Sequence, residues 1–302
     1  EHLLTTLNSL SNPEDIKIGF ESTAHYALNL ELFLENAHHS FMEVNPVLIK
    51  EYKKSTTLRR TKTDSVDCES IARWLITVEY KPHSKGFYHA YSLKSLTRLR
   101  DRLIRQRSFY LVKITNVLDH TFPEFKPFFN ERLSKTALYL LENYGSAEKM
   151  ARMNSASYDK LRCISRGKFS IQQFLRLKEL AANTVGVNNS IFDLELNTLL
   201  TLYKSLSDEI NTLETEIIKL IEEVHPHYMS IPGIGPISSA VIYAEYGDIS
   251  NFSNPGQMLA FAGIEPGIND SGTESHGGRM VKHGSSQLRY VLLNACLPLI
   301  RF

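Results

Sequence analysis

Between residues 192 and 224 the apolar side chains advance by alternating steps of three and four: Leu196, Leu199, Tyr203, Leu206, Ile210, Leu213, Ile217, Leu220 and Val224. That is an a/d heptad seam, and it commits the whole stretch to one long helix of a coiled coil. Such a seam needs a partner. Residues 92–120 offer one, a second helical stretch with Leu93, Leu96, Leu99 and Leu103 as its apolar stripe. The seam can pair with it within one chain, with a second protomer, or with both. The 92–120 stretch is also strongly basic, carrying Lys94, Arg98, Arg100, Arg102, Arg105, Arg107 and Lys113. Arg98, Arg102 and Arg105 are candidates for phosphate contact, the alternative being a solvated face.

A second stretch carries candidate chemistry. Arg59-Arg60-Thr61-Lys62-Thr63-Asp64-Ser65-Val66-Asp67 precedes Ile71, Ala72 and Leu75 at helical spacing, with Trp74 beside them, so a helix starts at Thr63 or Asp64. Three residues apart, Asp64 and Asp67 share a face of that helix. Two like charges held so close call for a cation, and Mg²⁺ takes one or two carboxylates plus phosphate oxygens. Arg59, Arg60 and Lys62 just upstream suit a phosphate-bearing partner. The simpler alternative is an N-cap and a first-turn aspartate, both favoured by the helix dipole.

Residues 1–80 alternate in type. A helix carries Leu3, Leu4, Leu7 and Leu10, and a strand spans residues 16–20, ending at Glu21. An apolar helix runs from Leu28 to Leu34, a second strand covers 40–44, and a helix follows with Val47, Ile49 and Tyr52. Strand–helix–strand–helix predicts a parallel pair in an α/β layer, with functional groups beyond the carboxyl ends of the strands. Glu21 sits at such an end and could face Asp64 and Asp67, or be a surface glutamate. Pro123 and Pro127 break the basic helix, and several short helices follow to about residue 190.

After His225-Pro226, the sequence Ser230-Ile231-Pro232-Gly233-Ile234-Gly235-Pro236 resembles the hairpin of helix-hairpin-helix DNA-binding modules. Gly233 and Gly235 would let the backbone approach a phosphate, and the next helix offers free N–H donors. The last segment is polar and glycine-rich. It places Ser271 in a flexible loop, with Arg279, Lys282, His283 and Arg289 downstream. A serine hydroxyl needs activation to become a nucleophile, and basic groups aimed at a phosphate would stabilise the charge that develops in transfer.

Composition narrows the class without naming it. The 302 residues are 42% hydrophobic and 22% charged, with a formal net charge of +1, ordinary values for a globular protein. Cys68, Cys163 and Cys296 fit neither a disulfide framework nor a zinc site, and reduced thiols are expected. The longest apolar run, Val291 to Ile300, contains Asn294 and Pro298 and is too short to span a bilayer. Glu1 rather than Met begins the sequence, and the helix from Leu288 to Phe302 stops in mid-course, so a piece of a longer chain is expected.

Taken in order, these motifs resemble the DEDD transposases of the IS-one-ten (Piv/MooV-type) insertion-sequence family. The matching residues are Phe20-Glu21-Ser22-Thr23-Ala24-His25-Tyr26, Lys62-Thr63-Asp64-Ser65-Val66-Asp67, Pro232-Gly233-Ile234-Gly235, Ala262-Gly263-Ile264-Glu265-Pro266 and Ser271-Gly272. Gly278-Arg279, Lys282, Gly284 and Leu288-Arg289 complete the set. The resemblance implies a RuvC-like, RNase H-fold domain over 1–85 with its first strands absent. A helical and coiled-coil region over 86–226 and a small helical transposase domain over 227–302 would follow. It further implies Mg²⁺ held by Glu21, Asp64 and Asp67 as the second, third and fourth acids, and Ser271 as a nucleophile forming a covalent DNA intermediate. Partners would be donor and target DNA, a structured guide RNA and further copies of the chain, in a prokaryotic, nucleoid-associated, cytoplasmic setting. Departures from the pattern are Ala24 for Gly, Cys68 for Ala, and the absent strand that would carry the first acid. Two other readings are a RuvC-type nuclease that hydrolyses DNA through water and a decayed, non-catalytic nucleic-acid binder.

Overall fold

The computed structural model describes residues 2–10, 15–21, 27–56, 63–82, 87–130, 133–247, 249–271 and 274–301. It divides into two compact units, one made of residues 1–94 with 230–302 and the other of residues 95–229.

In the first unit a parallel two-stranded sheet is covered on both faces. Strands β1 (Ile18–Glu21) and β2 (Phe41–Val44) pair in the register Ile18 to Phe41 and Glu21 to Val44. Alternation along each strand sends side chains to opposite faces. On one face Phe41, with Ile18 and Phe20, packs against Leu7 of α1 (His2–Leu10) and Leu34 of α2 (Leu28–Asn36). On the other, Val44 and Met42 pack against Ile49 of α3 (Pro46–Thr56) and Leu75 of α4 (Asp64–Thr77). Gly19 belongs to this second face. A Cβ there would lie 2.6 Å from the Leu75 side chain, so glycine is what lets α4 settle onto β1. The Tyr80 hydroxyl, just past α4, accepts from the Ile18 N–H at 3.2 Å and donates to the Ser40 carbonyl at 3.0 Å. It thereby pins the chain beyond α4 to the starts of both strands.

In the second unit a long helix pair leads into a cluster of short helices. Helix α5 (Phe87–Thr121) and α11 (Ser190–Val224) cover the two long helical stretches expected from the apolar spacing. Arg100 grips Glu214 through Nε at 2.8 Å and Nη2 at 2.5 Å, and His120 stacks on Phe192 at 5.8 Å. Ascending α5 while descending α11, these contacts make the pair antiparallel and place it within one chain. Of the open alternatives, the intramolecular pairing is therefore formed. Between the two lie α6 (Phe125–Phe128), α7 (Lys135–Tyr144), α8 (Ala147–Ala151), α9 (Ser155–Ile164) and α10 (Ile171–Ala182). The starts of α7 to α10 are set by Ser134, Ser146, Asn154 and Ser170, each accepting a first-turn N–H, with capping boxes at the last two. Phe122, Phe125, Leu140, Leu141, Met150, Leu161 and Leu177 form the buried centre of this cluster.

The remainder of the first unit is α12 (Pro236–Tyr246), α13 (Pro255–Ala262), a hairpin of β3 (Pro266–Ser271) and β4 (Glu274–Met280), and α14 (Ser286–Arg301). Both α12 and α13 pack on α14. The hairpin corrects two expectations, a purely helical C-terminal region and a loop around Ser271. Ser271 instead ends β3, with its backbone opposite Glu274. The sequence around it is polar and glycine-rich and lacks the apolar alternation that marks a strand, and the element shows itself in the antiparallel backbone pairing with β4.

A buried acid lies under the sheet beside a half-buried one. Glu31 of α2 is 2% exposed and faces Glu43 of β2. Burial, then the hydrogen bond and charge of Glu43, push the Glu31 carboxyl up to about 8. An acid whose folded value is raised stabilises the fold fully below its unfolded value near 4.5, and that contribution is lost as pH rises toward 8. Glu31→Gln is therefore expected to be more stable than the parent at pH 8, by on the order of 1–3 kcal/mol. The difference should shrink toward zero as pH falls to about 4.5. Thermal melts of both proteins across that range provide the check.

Candidate functional site

Helix α4 begins as its residues require. The Thr63 side chain accepts from the Val66 N–H, which fixes Asp64 and Asp67 in the first helical turn. There the free N–H groups of the helix start favour negative charge. The carboxylates repel nonetheless, by roughly 3 kcal/mol at the ~5.5 Å spacing of adjacent turns and the effective dielectric of a protein surface. A lysine meets that repulsion. Lys53 of α3 reaches across the helix pair and makes an ion pair with Asp67, with both side chains about three-quarters buried at 23% and 25% exposure. Nothing in the residue pattern of Glu51-Tyr52-Lys53-Lys54 singles Lys53 out. Its neighbour Lys54 pairs within its own helix, with Glu51.

Glu21 ends β1 and shares with Gly19 the sheet face that α4 covers. It is half-buried. Glu21 lies about 7 Å along the strand from Gly19, whereas Asp67 lies about 12 Å along α4 from Leu75, the residue over Gly19. Among the described residues, no three of His, Cys, Asp and Glu gather closely enough to hold a metal ion. The structure thus brings Asp64 and Asp67 together on one turn and leaves Glu21 on the adjoining face of the sheet. As a donor set, two hard carboxylates on one turn fit Mg²⁺, which fills its other positions with water and phosphate oxygens.

The basic candidates divide. Arg59, Arg60 and Lys62 lie outside the described residues, as do Ser22 to Tyr26 and Gly272. Arg98, Arg102 and Arg105 are exposed on α5, with Arg105 held by Asp101 at 2.9 Å. Arg100, by contrast, is committed to Glu214. Arg279 and Lys282 are exposed on and just past β4. Arg289 has a structural task, since its Nη1 donates to the Ala262 carbonyl at 3.1 Å and closes the C-terminal end of α13.

The glycines of the C-terminal motifs are packing residues. Gly233 has φ +92°, and a Cβ there would meet the Ala295 carbonyl at 3.0 Å and Pro298 of α14. A Cβ on Gly284 would fall 2.0 Å from the Phe261 carbonyl, and one on Gly278 would fall 2.1 Å from the Gly267 carbonyl. Gly235, the N-cap of α12, has open space around it, so of the two hairpin glycines it is the one that leaves room for a ligand at a helix start.

Similarity to known proteins bears on these features. Residues 1–123 match a family model described as a transposase of the DEDD, IS110 type, and residues 226–302 match one described as "Transposase IS116/IS110/IS902 family". Over those residues the chain is similar to transposases of the IS110 type. It is 25% identical over 260 residues to the transposase for insertion sequence element IS1111A of Coxiella burnetii, covering 85% of this chain and 59% of that one. A probable family 20 transposase of Pseudomonas aeruginosa is 29% identical over 109 residues, 33% of this chain and 32% of that one. The IS110 43.6 kDa protein of Streptomyces coelicolor is 27% identical over 186 residues, 59% of this chain and 45% of that one. The chain therefore spans about three-fifths or less of the length of these curated relatives.

Two outcomes follow from this division of roles. Gly233→Ala is expected to destabilise the protein by about 1–3 kcal/mol, through forced positive φ and contact with α14, and Gly235→Ala by less than about 1 kcal/mol. Paired melting curves separate them. For the exposed arginines, Arg102→Ala is expected to weaken binding of any DNA duplex about equally and to lower the salt slope by about one unit. Binding titrations at several salt concentrations check this.

Proposed function

We propose that this chain is the catalytic portion of an insertion-sequence transposase that cuts and exchanges DNA strands. The observation that carries the reading is the first turn of α4, where a capped helix start carries Asp64 and Asp67 within the stretch that matches the family model. The parallel strand pair between helices is the part of a RuvC-like, RNase H-type layer that this chain contains, and Glu21 is its strand-end acid. When bound at Asp64 and Asp67, Mg²⁺ would supply Lewis-acid polarisation of a phosphoryl oxygen.

The remaining steps belong to the chain itself. Exposed Arg98, Arg102 and Arg105, with Arg279 and Lys282, meet the DNA backbone as point charges. Ser271 serves as the nucleophile. Its Oγ forms a bond to the scissile phosphorus as the bond to the leaving strand oxygen breaks, and the serine proton passes to that oxygen. One phosphodiester replaces another, so strand exchange needs no ATP. A structured guide RNA chooses donor and target, and two or more copies of the chain assemble to hold both. The rival reading is a RuvC-type nuclease in which water replaces Ser271, and no covalent adduct forms.

The test is recombination between paired donor and target plasmids by the full-length protein. Asp64→Ala is expected to lower product by at least about a hundredfold, the scale set by loss of a charge-stabilising group. Ser271→Ala is expected to abolish both product and the denaturation-resistant protein–DNA adduct. Full product from Ser271→Ala would remove the serine from the chemistry, and full product from Asp64→Ala would remove the helix turn.

A further inference from the structure

The Lys53–Asp67 pair has no part in the reaction as just written, yet it occupies the turn on which that reaction depends. Lys53 projects from α3, four residues after Ile49, whose side chain is packed with Leu75 and Val44. One helical turn therefore separates an anchored core residue from the ammonium, which limits how far the ammonium can wander. Both partners are about three-quarters buried, unlike the chain's typical surface pairs such as Lys54–Glu51 and Arg73–Glu69, whose members are about 60% exposed or more. A lysine held in this way carries one positive charge on the turn that bears Asp64 and Asp67, the place a divalent cation would take.

We infer that Lys53 is a resident counter-cation of the α4 turn. It balances Asp67 in the metal-free protein, and a divalent ion must displace it in order to bind. Lys53 is a positioning residue in this scheme. It keeps Asp67 from pushing away from Asp64, holds α3 against α4, and sets the threshold concentration at which a cation enters. This rests on the reading of Asp64 and Asp67 as metal ligands.

The probe is Mn²⁺ alone, with the free ion counted by electron paramagnetic resonance against the whole chain and its variants, without DNA. Lys53→Met keeps the aliphatic stem and removes the charge, and Lys53→Gln serves as a second variant should methionine disturb the packing. Lys54→Met is the control for loss of a nearby surface charge. The expected result is Mn²⁺ binding about tenfold tighter in Lys53→Met and Lys53→Gln than in the parent, no change in Lys54→Met, and loss of the gain when Asp67→Asn is added. Without metal, Lys53→Met is expected to melt below the parent and to recover on addition of Mn²⁺. Equal Mn²⁺ affinity in the parent and both Lys53 variants overturns the displacement while leaving the metal reading of the turn intact. Absence of binding in all of them overturns both. An unchanged metal-free melting temperature shows that the pair does not hold the helices and overturns the resting role.

Discussion

Two carboxylates on one helical turn repel each other, and much of the first unit is arranged around that repulsion. Thr63 caps the turn so that its free N–H groups face the acids, and Lys53 brings an ammonium to Asp67 from the neighbouring helix. Neither device would work unless α4 were held in place. The hold comes from apolar packing at the far end of the helix, where Leu75 fills the space that Gly19 leaves open and Tyr80 ties the chain to both strand starts. The charged end is thus positioned by the greasy end, and the intervening helix transmits position as a rigid rod.

The same division between packing and chemistry recurs near the C-terminus. Gly263, Gly278 and Gly284 sit where a methyl group would collide with backbone, and Arg289 closes a helix end. Residues that look like phosphate binders when read as a motif turn out to knit the β3–β4 hairpin to α13 and α14. The side chains left for a ligand are the exposed ones, Arg279 and Lys282. On α5 the rule is similar. Arg100 is spent on Glu214 in joining the antiparallel helix pair, whereas Arg102 is exposed.

Periodicity carried the fold a long way. The 192–224 stretch became one long helix, the two short alternating strands formed, and of the two candidate helix starts Thr63 rather than Asp64 is the cap, because each rests on local rules that tertiary contacts reinforce. What stayed hidden was non-local. No spacing in the sequence distinguishes Lys53 from Lys54, since the difference lies in which helix face meets α4. The Glu31–Glu43 pair was equally invisible, because a glutamate inside an apolar helix resembles a surface residue until the fold buries it. Strand β3 escaped notice because its sequence lacks apolar alternation and its pairing is with the opposite strand. Asp64 and Asp67 were legible as a pair from their spacing alone, whereas the distance from Glu21 to them depends on how far α4 extends beyond the sheet.

The central claim is that the first turn of α4 is built to take a divalent cation. Diffraction from crystals of the full-length protein grown with Mn²⁺, recorded to bring out anomalous scattering, tests it most directly. The account predicts an anomalous peak within about 2.0–2.3 Å of carboxylate oxygens from both Asp64 and Asp67, with the Lys53 ammonium moved off Asp67. Crystals in which the lysine still holds Asp67 at saturating Mn²⁺, with no peak at the turn, would contradict it.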